Sequence, residues 1–326
     1  TPYTVDRKGH GPAWENSLFE DGAEFGYGML LAVNARQEAA AELARTVAGA
    51  EETPKAVALT AQKWLNHRRE TDASATTGQA LTAALAKALS QGEGDAEQLR
   101  SLYAMRDMFA RKSVWAFGGD GWAYDIGYGG VDHVLASGED INILVLDTEV
   151  YSNTGGQASK ATPTGAVAQF AAAGKSVQKK DLAAIAMQYG NVYVAQVAMG
   201  ADYDQTLRAL VEAESYHGVS LVIAYAPCIS HGIKLGMKNT MLEMNAAVKA
   251  GYWHLFRYDP RRAQAGRNAF QLDSGEPIMD YQEFLEGEVR YSSLQLAFPD
   301  RARELFEKAE KQAKAKYERL VRLSKG

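Results

Sequence analysis

Ser113-Val114-Trp115-Ala116-Phe117-Gly118-Gly119-Asp120-Gly121-Trp122 runs from a short apolar segment straight into glycines set around one carboxylate. The apolar part predicts a strand over residues 113–117, and the glycines predict the turn that leads from it into a helix. Glycines let a backbone come close to a bulky anion, and a helix beginning there aims its N-terminal N–H groups at that anion. A carboxylate in the same turn would repel bare phosphate. A divalent cation between the two removes the conflict, because Mg²⁺ takes oxygen ligands and commonly bridges one or two protein groups to phosphates. Taken alone, Gly119-Asp120-Gly121 is equally well met by a plain strand-to-helix turn with Asp120 as the N-cap.

Three further segments share the character of residues 113–117. Residues 141–146, 192–197 and 221–225 are short, apolar and partly β-branched, and each leads into a Gly-bearing or polar loop and then a helical pattern. Near-continuous apolar strands alternating with helices predict an α/β fold with a mostly parallel sheet flanked by helices. Ligands in such sheets bind outside the carboxyl ends of the strands.

That rule directs attention to the loop after residues 141–146, Asp147-Thr148-Glu149-Val150-Tyr151-Ser152-Asn153-Thr154-Gly155-Gly156. It lies one crossover beyond Asp120, so both loops belong to the same sheet edge. Hydroxyls at Thr148, Ser152 and Thr154, the Asn153 amide and turn carbonyls supply hard oxygens or phosphate-facing donors. A solvated Asn-Thr-Gly-Gly turn is the plainer alternative. The two loops together are far less easily accidental than either alone.

Ahead of the first strand, residues 9–30 hold scattered glycines and aromatics and read as loop chemistry packed on a core. Residues 36–47, 55–69, 78–90 and 96–110 are rich in helix formers, with breaks at Thr53-Pro54, residues 71–77 and residues 92–94. The expected organisation is an N-terminal part over 1–34, a helical insertion over 35–112, the α/β core over 113–250 and a C-terminal extension over 251–326. The strand signal fades after Tyr252, and a charged helix is expected over residues 301–323.

Composition limits the classes of function. The 326 residues are 46% hydrophobic with a net charge of −5 and no long basic run, which argues against a nucleic-acid surface. No apolar stretch is long enough to span a membrane. Cys228 is the sole cysteine, so an intrachain disulfide is impossible and a cytoplasmic home is expected. The opening Thr1-Pro2-Tyr3-Thr4, with no leader pattern, reads as the middle of something longer.

The run from Gly118 through Gly130 and the run from Asp147 through Gln157 resemble pyruvate:ferredoxin oxidoreductases. So do Ser159-Lys160-Ala161-Thr162-Pro163-Thr164-Gly165-Ala166 and the stretch from Gly251-Tyr252-Trp253 to Pro260. The likeness covers residues from about Gly11 onward. It implies a thiamine-diphosphate-binding fold in which Mg²⁺ is held by the side chains of Asp120 and Thr148 and the carbonyl of Val150. Gly119, Asp120, Gly121, Trp122, Ser152, Asn153 and Thr154 would then contact the cofactor, with Asn153 facing its reactive part. Many other thiamine enzymes place an asparagine where Thr148 stands. The resemblance also makes Cys228 the last of four ligands to a [4Fe–4S] cluster, the other three lying outside this chain.

The implied activity is oxidative decarboxylation of pyruvate with coenzyme A, electrons passing through iron–sulfur clusters to ferredoxin or flavodoxin. The implied partners are the remaining domains of the oxidoreductase and a second copy in a homodimer. An anion-binding or assembly module of Rossmann-like fold is the competing reading, which fold alone does not separate. His231 reads as a surface or packing residue. The run from Lys175 to Lys180 reads as a solvated approach to a helix, and Gly174-Lys175-Ser176 lacks the earlier glycine of a phosphate loop, Gln169 standing there.

Overall fold

The computed structural model describes Arg7, Gly9, residues 11–13, Glu15 and residues 20–326. The expectation for residues 9–19 therefore falls largely outside the described residues. The chain forms two compact units, Tyr27–Val114 and the remainder.

In the larger unit six strands form one sheet in the order β1-β2-β4-β3-β5-β6. They are β1 Trp115–Gly118, β2 Asn142–Asp147, β3 Tyr193–Val197, β4 Ser220–Tyr225, β5 Phe256–Tyr258 and β6 Phe270–Leu272. The first four lie within two residues of their expected bounds and pair in parallel, as the alternation of strand and helix requires. All of β3 is buried, as is β4 but for Ala224. Successive residues of a strand face opposite sides, so burial of this kind means that both faces are covered. The helices Leu182–Met187 and Tyr203–Glu214 pack on β3 and β4.

Where the strand signal fades, two more strands follow: β5 pairs antiparallel with β3 and β6 antiparallel with β5. Each has three residues, too few to show a periodicity. The last helix is Pro299–Lys325, with Pro299 in its first turn, where a missing N–H costs nothing. After β2 no helix begins until Leu182. The intervening chain is held by isolated bridges such as Tyr151 to Gln157 and Gln157 to Gln169, and this irregular segment carries the site.

Helices fill the smaller unit, and their bounds correct three expectations. Residues 36–47 lie inside a longer helix, Gly22–Gly49, which begins in the glycine-rich stretch read as loop. Residues 71–77, read as a break, open the helix Thr71–Gln91. There the Ser74 and Thr77 hydroxyls donate to Thr71 O and Ala73 O, spending their polar groups within the helix. The fourth helix stops at Ala104, before one 3₁₀ turn over Arg106–Met108. The core of this unit gathers around Trp64, whose indole N–H donates to Phe109 O at 2.7 Å. Gly78 is needed beside it, because a Cβ there would stand 2.7 Å from that of Phe109.

Candidate functional site

Parallel pairing of β1 with β2 and of β2 with β4 brings three carboxyl-end loops side by side. The first is seated by Trp122. Its indole is buried and lies so close to Gly118 that a Cβ at 118 would sit 2.1 Å from the ring. Trp122 thus anchors the short helix Asp120–Tyr124 against the end of β1. Gly119, and not Asp120, is the N-cap residue, which leaves the Asp120 carboxylate free to face the second loop.

Asp120 is 3% exposed. Its Oδ1 accepts from Thr148 N at 3.1 Å and faces Thr148 Oγ1 at 3.3 Å, while Oδ2 accepts from Ser159 Oγ at 2.8 Å. These direct partners are neutral. Burial, followed by the nearby charge of Asp147, pushes the Asp120 carboxyl well above its usual range. Thr148 Oγ1 also stands 2.9 Å from Val150 O and 3.4 Å from Ser152 Oγ. Three hard oxygens, Asp120 Oδ1, Thr148 Oγ1 and Val150 O, therefore converge.

Octahedral Mg²⁺ with bonds of about 2.0–2.1 Å sets neighbouring ligand oxygens about 2.9 Å apart; Thr148 Oγ1 and Val150 O, 2.9 Å apart, have that spacing, and Asp120 Oδ1, 3.3 Å from Thr148 Oγ1, needs only a small inward shift to reach it. Charge agrees, since a buried carboxylate with only neutral direct partners is stabilised by an added cation. The set is one carboxylate, one hydroxyl and one carbonyl. No group of three or more His, Cys, Asp or Glu side chains suited to a metal occurs among the described residues. Such a set suits a hard cation completed by phosphate oxygens and water, not a transition metal.

Ser152, Asn153, Thr154 and Gly155 form an exposed tip beyond these oxygens. Gln157 holds the tip from behind, its Oε1 accepting from Thr154 Oγ1 at 2.5 Å and Gly155 N at 3.1 Å. Cys228 lies just past β4 and is 9% exposed, and its sulfur accepts from Ser230 N at 3.5 Å. His231, three residues on, is fully buried and donates from Nε2 to Thr148 O at 2.8 Å. It is a packing residue that also ties the Cys228 loop to the Thr148 loop.

Beneath the loops lies an ionic network that the sequence reading missed. Asp147 and Glu149 are almost fully buried, and Lys179 Nζ stands 2.8 Å from the first and 3.0 Å from the second. Burial works against the Glu149 carboxylate, but Lys179 and then Arg290 overcome it and hold its pKa down at about 2. Asp147 also accepts from Tyr124 OH at 2.6 Å. The run from Lys175 to Lys180 is thus corrected. Lys175 Nζ donates to Ser159 O and Thr162 O, Lys179 enters the network, and Lys180 Nζ lies 3.0 Å from the Tyr128 ring centroid. Burial lowers the pKa of Lys175 to about 8, with the charge of Lys179 adding to the effect.

Glu243, in the helix Thr240–Lys249, gives this region a pH signature. Burial and then the Glu288 charge push its carboxyl up to about 7, against the smaller opposing pull of Arg290. A raised carboxyl favours the folded state while protonated. That contribution is complete below the ordinary value of 4.5 and is lost as pH rises through about 7. Glu243→Gln should therefore raise Tm near pH 8 and change it little near pH 4. Thermal melts showing equal shifts at both pH values would contradict this assignment.

The family model for the thiamine pyrophosphate enzyme C-terminal TPP binding domain matches residues 56–224, half of the chain and both Asp120 and the Thr148 loop. The chain belongs to this thiamine pyrophosphate enzyme family. It is 55% identical over 328 residues to a pyruvate:ferredoxin oxidoreductase of Moorella thermoacetica, spanning all of this chain and 28% of that protein. It is 54% identical over 324 residues to a pyruvate-flavodoxin oxidoreductase of Klebsiella pneumoniae, spanning 99% of this chain and 27% of that one. A mitochondrial pyruvate dehydrogenase [NADP(+)] of Euglena gracilis is 44% identical over 325 residues, spanning all of this chain and 18% of that protein. The chain thus spans about a quarter or less of the length of these relatives. Cys228 falls outside the residues that the family model matches. Among the described residues no helix is long and apolar enough to cross a membrane.

Proposed function

We propose that the chain is the part of a pyruvate oxidoreductase that holds thiamine diphosphate and Mg²⁺. The reaction is oxidative decarboxylation of pyruvate with coenzyme A, giving acetyl-CoA, CO₂, a proton and two electrons. The electrons pass through [4Fe–4S] clusters to ferredoxin or flavodoxin. The observation that carries this reading is the convergence of Asp120 Oδ1, Thr148 Oγ1 and Val150 O at the carboxyl edge of the sheet. The family match and the names of the relatives support it.

Thiamine diphosphate, when bound, supplies the carbanion chemistry that decarboxylation needs. The chain's own residues bind and orient. Asp120 and Thr148 hold the cation with side-chain oxygens and Val150 with its carbonyl, while Ser159 and the Thr148 N–H fix the Asp120 carboxylate from two sides. Gly119 leaves room for the diphosphate, Gly121 offers it a backbone N–H, and the Ser152 hydroxyl and the chain at Thr154 face it. Asn153, on the exposed tip, presents its amide where negative charge develops on the substrate oxygen, which lowers the barrier only if the amide is already in place. Trp122 keeps a supporting role beneath the first loop.

Cys228 supplies one thiolate to a cluster whose other ligands come from outside this chain. Its position fits, because its sulfur belongs to a carboxyl-edge loop that His231 ties directly to Thr148. Electrons leaving the cofactor need an acceptor close by, and cysteine thiolate is the usual cluster ligand. The remaining domains of the enzyme complete the site, and the working form is a cytoplasmic homodimer.

The test is anaerobic turnover by the full-length enzyme, with pyruvate, coenzyme A and oxidised ferredoxin. Coenzyme-A-dependent reduction of ferredoxin is expected. Cys228→Ser should lose about four irons per chain and most electron transfer while still binding Mg²⁺ and thiamine diphosphate. No pyruvate turnover in the parent would favour an assembly module, and unchanged iron in Cys228→Ser would make that residue core filler.

A further inference from the structure

We propose that Glu149 is a positioning residue: its buried anchorage holds the backbone kink that brings Thr148 Oγ1 and Val150 O onto one cation. This rests on the reading of Asp120, Thr148 and Val150 as the Mg²⁺ ligands. Glu149 itself makes no hydrogen bond to any of their ligating oxygens and acts through the chain on either side of it.

The kink is a specific feature. Glu149 has φ of 59°, and only one other non-glycine residue, Phe170, has positive φ among the described residues. Such a conformation is strained for a residue with a Cβ, so it persists only where the surroundings impose it. Extended chain would carry position 150 about 7 Å beyond position 148. With one left-handed residue between them, Val150 O instead turns back to within 2.9 Å of Thr148 Oγ1.

Every polar group of Glu149 is engaged in holding that turn. Its N–H donates to Asp147 Oδ1 at 3.2 Å, and its carbonyl accepts from Thr162 Oγ1 at 2.5 Å. Oε1 accepts from Lys179 Nζ at 3.0 Å, and Oε2 accepts from Arg290 Nη2 at 2.8 Å and Tyr252 OH at 2.6 Å. The anchorage also closes on itself. Arg290 Nε donates to Glu288 Oε2 at 2.7 Å, the His231 ring lies 3.4 Å from Glu288 Oε1, and His231 Nε2 donates to Thr148 O. Residues 148 and 149 are thereby braced from the front by His231 and from behind by Arg290. A surface turn that merely tolerated strain would not gather partners from Thr162, Lys179, Tyr252 and Arg290, four separate parts of the chain.

The experiment is titration of Mg²⁺ into the full-length enzyme at saturating thiamine diphosphate, followed by calorimetry or tryptophan fluorescence. It is run at a temperature where circular dichroism shows each protein fully folded. Residues that orient metal ligands typically contribute about 10–100-fold in metal affinity, and a half-saturating Mg²⁺ concentration raised by that factor is expected for Glu149→Ala. Thr162→Val keeps the side-chain shape and removes the donor to the Glu149 carbonyl, together with the acceptor of the Ser159 N–H. It covers the case in which Glu149→Ala does not fold, and a rise of about fivefold is expected, as for one lost buried hydrogen bond. A Mg²⁺-dependent parent with either folded variant unchanged overturns this proposal alone. A parent that binds thiamine diphosphate equally well in chelator overturns both the proposal and the reading beneath it.

Discussion

Asp120→Ala in the full-length enzyme should abolish Mg²⁺-dependent binding of thiamine diphosphate, with a loss on the order of a hundredfold or more. Residues that only orient metal ligands already contribute about 10–100-fold, and Asp120 is the one charged oxygen donor of the three. Without it, protein and diphosphate lose the cation they share, and the helix N-terminus alone has little hold on the anion. Folding should change little. The variant gives up the hydrogen bonds from Thr148 N and Ser159 Oγ, but it also relieves a buried carboxylate that has no direct cationic partner. Isothermal titration with and without Mg²⁺ measures the first effect and a thermal melt the second. Unchanged cofactor affinity would leave Asp120 as a residue that merely opens a helix.

Lys179→Met should destabilise the protein by about 3 kcal/mol. Removing one member of a buried ion pair typically costs about 3–5 kcal/mol because the partner is left uncompensated. The lower end applies, since the Lys179 side chain is 22% exposed. Its ammonium serves two carboxylates at once, Asp147 and Glu149, which would otherwise repel each other in a setting almost closed to water. Methionine keeps most of the stem and gives up only the ammonium, which also stands 5.2 Å from the Trp253 ring centroid and 5.6 Å from that of Tyr124, so the loss reports mainly charge. The deficit should narrow on acidification. The stabilisation that Glu149 draws from its folded-state pKa of about 2 is complete above its ordinary value of 4.5 and fades as pH falls toward 2. Urea unfolding at neutral and acidic pH reads both effects. A variant within about 0.5 kcal/mol of the parent, typical for exposed positions, would mean that Lys179 is a solvated surface lysine.

The parts of this site that were legible in the sequence are local. Gly118-Gly119-Asp120-Gly121 follows an apolar strand, and the Thr148 loop follows another one crossover later. The parallel-sheet rule then places both at one edge, where Thr148 N meets Asp120 Oδ1. What was not legible depends on partners far apart in the chain. Arg290 reaches Glu149 across 141 positions, and His231 reaches Thr148 across 83. No periodicity marks a charged residue as buried when the counter-charge arrives from another element. Lys179 accordingly looked like part of a solvated basic run, and Glu149 like one polar residue in a polar loop.

Local propensity also misled at Gly22 and Gly26, which sit in the helix Gly22–Gly49. A Cβ at Gly26 would stand 3.2 Å from that of Ala116, and one at Gly22 would stand 3.4 Å from the Trp122 indole nitrogen. Close packing on β1 and on the first site loop outweighs the entropic cost of glycine in a helix.

Everything proposed for the site depends on one arrangement, a single divalent cation shared by Asp120, Thr148, Val150 and thiamine diphosphate. It is tested most directly by crystals of the full-length enzyme grown with thiamine diphosphate and Mn²⁺, an anomalous scatterer that accepts the same oxygen ligands as Mg²⁺. One anomalous peak is expected about 2.2 Å from an Asp120 carboxylate oxygen, Thr148 Oγ1 and Val150 O, with diphosphate oxygens completing the shell. A peak held by other residues, or a bound diphosphate with no metal between it and Asp120, would contradict it.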